Sequence, residues 1–241
     1  MNADNKATLD EIRQRFDHDV ERFSNLETGQ AVVTDSVLHM TLVSRAAAAV
    51  TPGAKQLLDV GCGAGNYTLK LLQAYPDRAI DCDLLDLSRP MLDRAAQRVA
   101  PANHGGKVIT IQSDIRAADL GEARYDVIVA AQCLHHLRGD DEWVETFAKL
   151  YRALTLGGSL WISDSVAHEL PGVTAMIRKD WIDELTRQGG AVHAEKVMAY
   201  VDYEDTPRPL RFQLELLKRV GFHAIDVLHA NVRFASFGGV K

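Results

Sequence analysis

A glycine-rich turn preceded by an acidic residue is the segment of the sequence best suited to bind a ligand. The run Leu57–Val60 is apolar except for Asp59, and Gly61, Gly63 and Gly65 follow at alternate positions. Glycines there let the backbone turn sharply and let a ligand approach where a Cβ atom would collide. The G-x-G-x-G spacing differs from the G-x-G-x-x-G of dinucleotide-binding proteins. Asp59 would repel a diphosphate, whereas it suits a ligand that carries an ammonium group.

Two more acidic residues follow the next two apolar runs of the chain. Asp86 comes roughly twenty residues after the glycines, where a strand-end carboxylate can accept hydrogen bonds from both hydroxyls of a ribose. Asp114 could accept a hydrogen bond from the exocyclic amine of adenine, or it could form an ordinary Asx turn. Together with their neighbours Leu87 and Ile115, these acids predict a site for an adenosyl group.

Two adjacent histidines, His135 and His136, follow the fourth apolar run and could carry proton chemistry. Open α/β sheets bind ligands at the carboxyl ends of their strands, so we expect Gln132 to contact the same ligand. Either histidine could remove a proton from an acceptor hydroxyl or amine, because histidine titrates near neutral pH. The pair could instead pack beneath the ligand and cap the next helix. Asp164, after the fifth run, could orient an amine acceptor or be an ordinary loop acid.

The sequence does not predict a metal site around these histidines. A two-histidine site needs a third ligand within reach, and Asp164 is the only obvious candidate in the sequence. We therefore expect no metal. The cysteines Cys62, Cys82 and Cys133 are isolated, which indicates neither a zinc knuckle nor a disulfide framework.

Charge and composition favour a small molecule as the partner of this protein. The net charge is −6, whereas nucleic-acid binding depends on clustered Lys and Arg, so we expect no nucleic-acid partner. No apolar stretch is long enough to span a bilayer, and no secretory signal opens the chain. We therefore expect a cytoplasmic protein without a membrane partner.

The elements that must position these residues alternate along the chain as strand and helix. From Gln56 onward the pattern predicts parallel strands near 57–60, 80–85, 108–112, 126–131 and 159–163, with helices near 65–74, 89–99 and 142–155. The strand-like runs at 224–229 and 232–237 are separated by only two residues. They can form only a hairpin, so one late strand runs antiparallel to the others.

The motifs of this alternating region resemble those of the class I S-adenosylmethionine-dependent methyltransferases. The similar segments are the glycine-rich motif Leu58–Gly65, the ribose acid Asp86, the adenine segment Ser113–Ile115, the fourth strand Tyr125–Val129 and the turn Leu154–Gly158. The resemblance implies an α/β fold with a Rossmann-like, seven-stranded, mostly parallel sheet, an antiparallel last strand, helices on both faces and a helical lid. It also implies S-adenosylmethionine as the cofactor and a small molecule as the methyl acceptor.

Two segments fall outside the alternating pattern. We predict N-terminal helices that form a cap over residues 1–50, a cofactor-binding core over 51–165, a helical acceptor lid over 166–210, and a last helix with the C-terminal hairpin over 211–241. Aromatic residues of the predicted lid could wall an acceptor pocket, although such residues often form a lid's own core. They are Trp181, His193, Tyr200 and Tyr203.

Three other functions compete with methyl transfer. The start Arg15-Phe16-Asp17 and the long insertion faintly resemble the enzyme that makes carboxy-S-adenosylmethionine, but the comparable stretch 195–200 offers Lys196 instead of that group's arginine. A noncatalytic S-adenosylmethionine-binding protein is a second alternative. A nicotinamide dehydrogenase is disfavoured by the glycine spacing and by Asp59.

Overall fold

A seven-stranded sheet runs through the part of the chain that the computed structural model describes, residues 6–25 and 33–241. The strands are β1 Gln56–Val60, β2 Asp81–Asp86, β3 Val108–Gln112, β4 Tyr125–Ala131, β5 Leu154–Ser165, β6 Ala224–Asn231 and β7 Phe234–Val240. Their order is β3-β2-β1-β4-β5-β7-β6, and β1 to β5 pair in parallel. Strand β7 is antiparallel to both of its neighbours, which confirms the predicted antiparallel last strand.

Helices cover both faces of this sheet. They are α1 Leu9–His18, α2 Val20–Phe23, α3 Ser36–Val50, α4 Asn66–Ala74, α5 Arg89–Ala102, α6 Asp140–Ala153, α7 Pro171–Glu204 and α8 Leu210–Val220. One buried apolar cluster joins the sheet to α6 and α8, and a second joins it to α3, α4 and α5. This arrangement confirms the predicted Rossmann-like fold class. None of the helices in the described ranges is long and apolar enough to cross a membrane.

Most predicted elements lie within a few residues of the observed ones, but β5 begins earlier than predicted. The segment predicted as a turn, Leu154–Gly158, is the irregular start of this strand. Leu154 pairs with Tyr125, and the register then shifts before Val127 pairs with Ser159. Local side-chain and backbone preferences do not reveal such a bulge, because the pairing partner on β4 creates it.

The two segments outside the alternating pattern are helical in the structure. The insertion forms α7, which has a break at Gly190, where φ is 82°. The N-terminal segment contains α1, α2 and α3, while residues 1–5 and 26–32 of the predicted cap lie outside the described residues. Helix α1 starts with a capping box in which the Thr8 and Glu11 side chains each bond the other's backbone N–H.

Polar contacts attach helix α1 to the two sides of the molecule. On one side Ser88 Oγ donates a hydrogen bond to Asp17 at 2.6 Å, close to the start of α5. On the other side Arg15 forms a two-bond ion pair with Glu204 at the end of α7, with both distances at 2.6 Å. Helix α1 therefore bridges the sheet edge and the insertion.

Candidate functional site

A cavity of about 950 Å³, partly open to solvent, lies at the carboxyl ends of β1, β2 and β4. Helix α1 and Phe23 cover it from the other side. Eight of the nine residues predicted to bind the cofactor line this cavity: Asp59, Gly61, Gly63, Asp86, Leu87, Asp114, Ile115 and Gln132. Parallel strands bring these residues together because their carboxyl ends share one edge of the sheet.

The glycine-rich turn combines two different structural requirements. Gly61 has φ of 67°, and a Cβ atom there would lie 2.5 Å from the Cβ atom of Cys133. Gly63 has φ of 50°, but a Cβ atom at this position would meet no atom within 4 Å. The turn therefore packs against the loop after β4 at Gly61 and leaves free space at Gly63.

Gly65 differs from the prediction, because it does not line the cavity. Its φ is 81°, and a Cβ atom there would lie 3.0 Å from Cγ2 of Val99 and 3.3 Å from Cβ of Ala95. Both neighbours belong to α5, so the missing side chain permits close packing between the turn and that helix. The glycine pattern alone could not separate this packing role from ligand contact.

Asp59 is a buried carboxylate in the wall of the cavity, with 1% of its surface exposed. The Thr68 backbone N–H and hydroxyl both donate to its Oδ2 atom, at 3.2 and 2.6 Å. Burial raises the pKa of Asp59 to about 7, against the effect of the Thr68 hydrogen bonds. A cationic ligand group in the cavity would favour the charged carboxylate.

Asp86 lies at the end of β2 and contacts the glycine-rich turn directly. Its Oδ2 atom accepts a hydrogen bond from the Gly63 N–H at 2.8 Å, and its Oδ1 atom accepts one from Ser88 N–H at 2.9 Å. Burial raises the pKa of this carboxyl group. The backbone bonds fix the carboxylate at the cavity wall, where each oxygen can accept a further hydrogen bond.

Asp114 makes the Asx turn that the sequence allowed as an alternative. Its Oδ1 atom accepts a hydrogen bond from the Arg116 N–H at 2.7 Å, and both of its oxygens bond the Arg116 guanidinium. Asp114 still lines the cavity beside Ile115. The arginine therefore sets the orientation of a carboxylate that could also contact a ligand.

A second cavity, of about 590 Å³, adjoins the first. It is lined by residues of α1, α2, α7 and the ends of the sheet. The two cavities have four residues in common, which are Phe16, Phe23, Gln132 and His136. Of the four aromatic residues predicted to wall an acceptor pocket, Trp181 and Tyr200 line this cavity, whereas His193 and Tyr203 do not. Trp181 also belongs to the apolar cluster of the insertion, so it both lines a cavity and packs in the insertion's own core.

Asp164 lies beneath the histidine pair and lines neither of these cavities. It is fully buried, and its Oδ1 atom is hydrogen-bonded to Nδ1 of His135. Its Oδ2 atom accepts a hydrogen bond from the Leu134 N–H at 2.8 Å. This position differs from the predicted contact with an acceptor, since the carboxylate reaches the cavity only through His135.

The two histidines have different electrostatic surroundings. Burial alone would lower the pKa of His135, but the charges of Asp164 and Asp205 outweigh it and raise the pKa to about 9. Burial and the positive charge of His135 hold the pKa of His136 well below its usual range. Among the described residues, neither ring nitrogen of His136 makes a hydrogen bond of good geometry, although the Glu204 backbone lies near the ring. The ring stands in the wall between the two cavities.

Comparisons with known proteins agree with this fold. The methyltransferase domain family matches residues 57–158, which include the glycine-rich turn and the histidine pair. A carboxy-S-adenosyl-L-methionine synthase from Desulforapulum autotrophicum is 25% identical over 187 residues, or 77% of this chain and 74% of the synthase. An uncharacterized methyltransferase from Mycobacterium bovis is 30% identical over 123 residues, or 51% of this chain and 57% of that protein.

A solved structure extends the agreement to the fold. The O-methyltransferase family protein from Burkholderia thailandensis superposes with a TM-score of 0.66 and 20% identity, over 94% of this chain and 61% of that chain. Residues 57–158 are a methyltransferase domain, and the fold and relatives of the chain are those of class I S-adenosylmethionine-dependent methyltransferases. S-adenosylmethionine is the cofactor of this methyltransferase. The chain spans less than two thirds of the solved protein, so that likeness concerns the fold.

The first cavity of this methyltransferase fits its cofactor. Among the described residues, no basic side chain forms an ion pair with the buried Asp59, so the ammonium group of the cofactor would supply a missing partner. The open space at Gly63 and the carboxylate of Asp86 provide a place for a polar ligand against the turn.

Sequence reasoning missed Asp205, which follows α7 and lines the second cavity of this methyltransferase. Its Oδ1 atom lies 3.6 Å from His135 Nε2 and 3.9 Å from His136 Nδ1. No local motif marks the residue, because only the return of α7 to the sheet edge brings it to the histidines. Arg15 also lines this cavity. In the sequence it stood out only because the start Arg15-Phe16-Asp17 resembles carboxy-S-adenosylmethionine synthases.

Proposed function

We propose that this methyltransferase transfers a methyl group to a small-molecule acceptor that binds in the second cavity. The observation that carries the proposal is the shared wall at Gln132 and His136, because an acceptor bound in the second cavity would lie directly beside a cofactor bound in the first. When bound, S-adenosylmethionine supplies an electrophilic methyl group on sulfur. Methyl transfer depends strongly on proximity and orientation, which two adjoining walled cavities provide.

The first cavity offers a group for each part of the cofactor. Asp59 would bind the ammonium group, and Asp86 would accept hydrogen bonds from the ribose hydroxyls. Asp114, Ile115 and Leu87 would contact the adenine. The cofactor's sulfonium end would then lie toward Gln132 and the second cavity. This assignment keeps the roles expected from the sequence, with the exception of Gly65.

The histidine cluster would handle the proton that a hydroxyl or ammonium acceptor must lose. His136 faces both cavities, and its lowered pKa keeps the ring uncharged, so that a ring nitrogen could receive the acceptor proton. His135 lies beside it, with ring centroids 4.3 Å apart, and is held by Asp164. We assign Asp164 the role of a positioning residue for His135 instead of a contact to the acceptor.

A second candidate function is the synthesis of carboxy-S-adenosylmethionine. The observation in its favour is the similarity to synthases of that name over three quarters of this chain. Arg15 and Arg22 line the second cavity and could bind a carboxylate substrate, although Glu204 already pairs with Arg15. Mass spectrometry of the adenosyl product separates the two reactions, because a synthase yields a carboxylated cofactor and a methyltransferase yields S-adenosylhomocysteine.

An acceptor screen tests the proposed function. The purified protein is incubated with S-adenosylmethionine and a library of small hydroxyl, amine and thiol compounds, and the release of S-adenosylhomocysteine is measured. We expect release that depends on particular acceptors. If calorimetry shows cofactor binding but no compound increases release above the blank, the noncatalytic alternative is favoured.

Removing the Asp86 carboxylate is expected to weaken cofactor binding at least about tenfold. Hydrogen bonds to a charged group contribute about 1.5–3 kcal/mol, and tenfold in Kd corresponds to about 1.4 kcal/mol. Calorimetry with Asp86→Ala measures the change, and Asp93→Ala is the control, because Asp93 is an exposed acid on α5. An unchanged Kd in a folded Asp86→Ala protein would place the ribose elsewhere.

Replacing Tyr200 by alanine is expected to impair acceptor turnover more than cofactor binding. Tyr200 lines the second cavity but not the first, and the Arg15 guanidinium lies 4.9 Å from its ring centroid. We expect kcat/KM for the acceptor to fall about tenfold, as for a lost contact of about 1.4 kcal/mol. Tyr203→Ala is the matched control, since Tyr203 lies one turn later on α7 and bonds Glu11 outside the cavity. Equal losses in both variants would contradict an acceptor role for Tyr200.

A further inference from the structure

We infer that His135, His136 and Asp205 form a site for a divalent transition-metal ion in the wall of the acceptor cavity. All three line the second cavity. Each offers one ligand atom, and these atoms lie within 4.8 Å of one another. In the described part of the chain, this is the one group of three or more such side chains with this spacing.

The distances in the cluster are close to those of a metal site. Nε2 of His135 lies 3.6 Å from Oδ1 of Asp205, and Nδ1 of His136 lies 3.9 Å from the same oxygen. Ligand bonds of about 2.1 Å in a tetrahedral site place neighbouring ligand atoms about 3.4 Å apart. Small side-chain rotations would bring the three atoms onto one ion.

The poorly bonded nitrogens of His136 provide a further indication of a ligand at this place. Both ring nitrogens are buried, and within the described residues neither makes a hydrogen bond of good geometry, with only the Glu204 backbone near the ring. Buried polar atoms are nearly always bonded, because an unpaired one costs about 1–3 kcal/mol. A metal ion between His136 and Asp205 would bond one of these nitrogens. It would also balance the negative charge of the Asp205 carboxylate.

Asp164 supplies the outer contact that a metal-binding histidine usually has. It bonds Nδ1 of His135, which leaves Nε2 of the same ring directed toward Asp205, where a bound ion would replace the Nε2 proton. Metal-ligating histidines commonly donate their second ring N–H to a carboxylate, which fixes the tautomer and the ring orientation. The buried Asp164 is in turn fixed by the backbone N–H of Leu134.

The donor set indicates which ions would bind. Two imidazole nitrogens and one carboxylate oxygen suit Zn²⁺, Co²⁺ or Fe²⁺, whereas Mg²⁺ and Ca²⁺ prefer oxygen ligands alone. Three protein ligands leave at least one coordination position open, and the cavity position of all three residues directs it toward the acceptor.

The role of the ion, unlike its binding, rests on the proposed function. An acceptor hydroxyl at the open position would lose its proton to water more readily, because a bound cation stabilises the resulting oxyanion. The oxygen lone pair then forms the bond to the methyl carbon, while the sulfur–methyl bond breaks and leaves its electron pair on sulfur. Without the ion, His136 would have to accept the proton itself.

Titration with Co²⁺ tests the site without relying on activity. We expect one Co²⁺ per chain and visible absorption bands of a low-coordinate nitrogen–oxygen site, with competition by Zn²⁺ measured by calorimetry. Asp205→Asn should weaken Co²⁺ binding at least about tenfold, and Asp164→Asn about 10–100-fold through the outer contact. Asp202→Asn is the control, because Asp202 is half-exposed and pairs with Arg178.

The possible outcomes separate this inference from the proposed function. Absence of stoichiometric Co²⁺ binding, or equal binding by Asp205→Asn and Asp202→Asn, would overturn the metal site. Circular dichroism checks that each variant is folded, and His136→Asn provides a second ligand substitution if Asp205→Asn is not. Acceptor turnover that survives exhaustive chelation would support the proposed function while removing the role of the ion. Metal binding without any turnover would support the metal site and contradict the proposed function.

Discussion

The variant His136→Asn is expected to lose about 100-fold or more in turnover while it remains folded. His136 is the titratable side chain common to the walls of both cavities in the described structure. A positioned group that takes up a proton contributes about 10²–10⁴-fold to a rate. Asparagine is smaller and polar, but it cannot accept the acceptor's proton. The loss is expected whether His136 receives that proton directly or binds a metal ion that promotes its release.

The measurement for this variant compares kcat with cofactor affinity. Calorimetry with S-adenosylhomocysteine should show a Kd within about threefold of the parent protein, which corresponds to less than 1 kcal/mol. His223→Asn is the matched control, because His223 is exposed and far from both cavities. A variant with parental kcat would exclude His136 from the chemistry. A loss of cofactor binding as large as the loss of turnover would show that His136 acts mainly in binding the cofactor.

The variant Gly61→Ala is expected to be the most destabilised of the single substitutions considered. A Cβ atom at this position would lie 2.5 Å from Cβ and 3.0 Å from Sγ of Cys133. Neither side can move easily, because Gly61 N–H bonds Leu85 at 2.8 Å and β1 pairs with β4 along its length. The positive φ of 67° adds backbone strain of about 1–3 kcal/mol to the cost of overpacking, also about 1–3 kcal/mol.

We expect the free energy of unfolding of Gly61→Ala to fall by about 3–5 kcal/mol. For a chain of this size that corresponds to a decrease in Tm of roughly 10 °C or more. Gly63→Ala is the informative comparison, since its Cβ atom meets nothing within 4 Å and only the backbone strain remains. Denaturant unfolding of both variants measures the difference. Equal stabilities would show that the contact with the loop after β4 can relax.

The core of the site could be predicted because its residues belong to consecutive strands. Asp59, Asp86 and Asp114 each lie near the carboxyl end of a strand of one parallel sheet, and such strands present these ends at a common edge. The type of each residue and its distance from the glycines were then sufficient to place the first cavity. Hydrophobic alternation likewise predicted the sheet and its antiparallel last strand.

The acceptor side could not be predicted, because long-range packing creates it. Asp205 reaches the histidines only through the path of α7, and no sequence spacing encodes that path. The position of Asp164 after β5 was visible, but the direction of its side chain depends on the bonds from His135 and Leu134. The role of Gly65 was also hidden, since φ values are positive for all three glycines and only Gly65 packs against α5.

The attachment of helix α1 determines how the cofactor can be exchanged. The helix covers the first cavity and is fixed on opposite sides by Asp17 with Ser88 and by Arg15 with Glu204. If helix α1 moves to release a spent cofactor, these polar contacts break, and the second cavity loses Arg15 and Phe16 from its wall in the same movement. Turnover would then follow an ordered cycle in which the cofactor enters first and departs last.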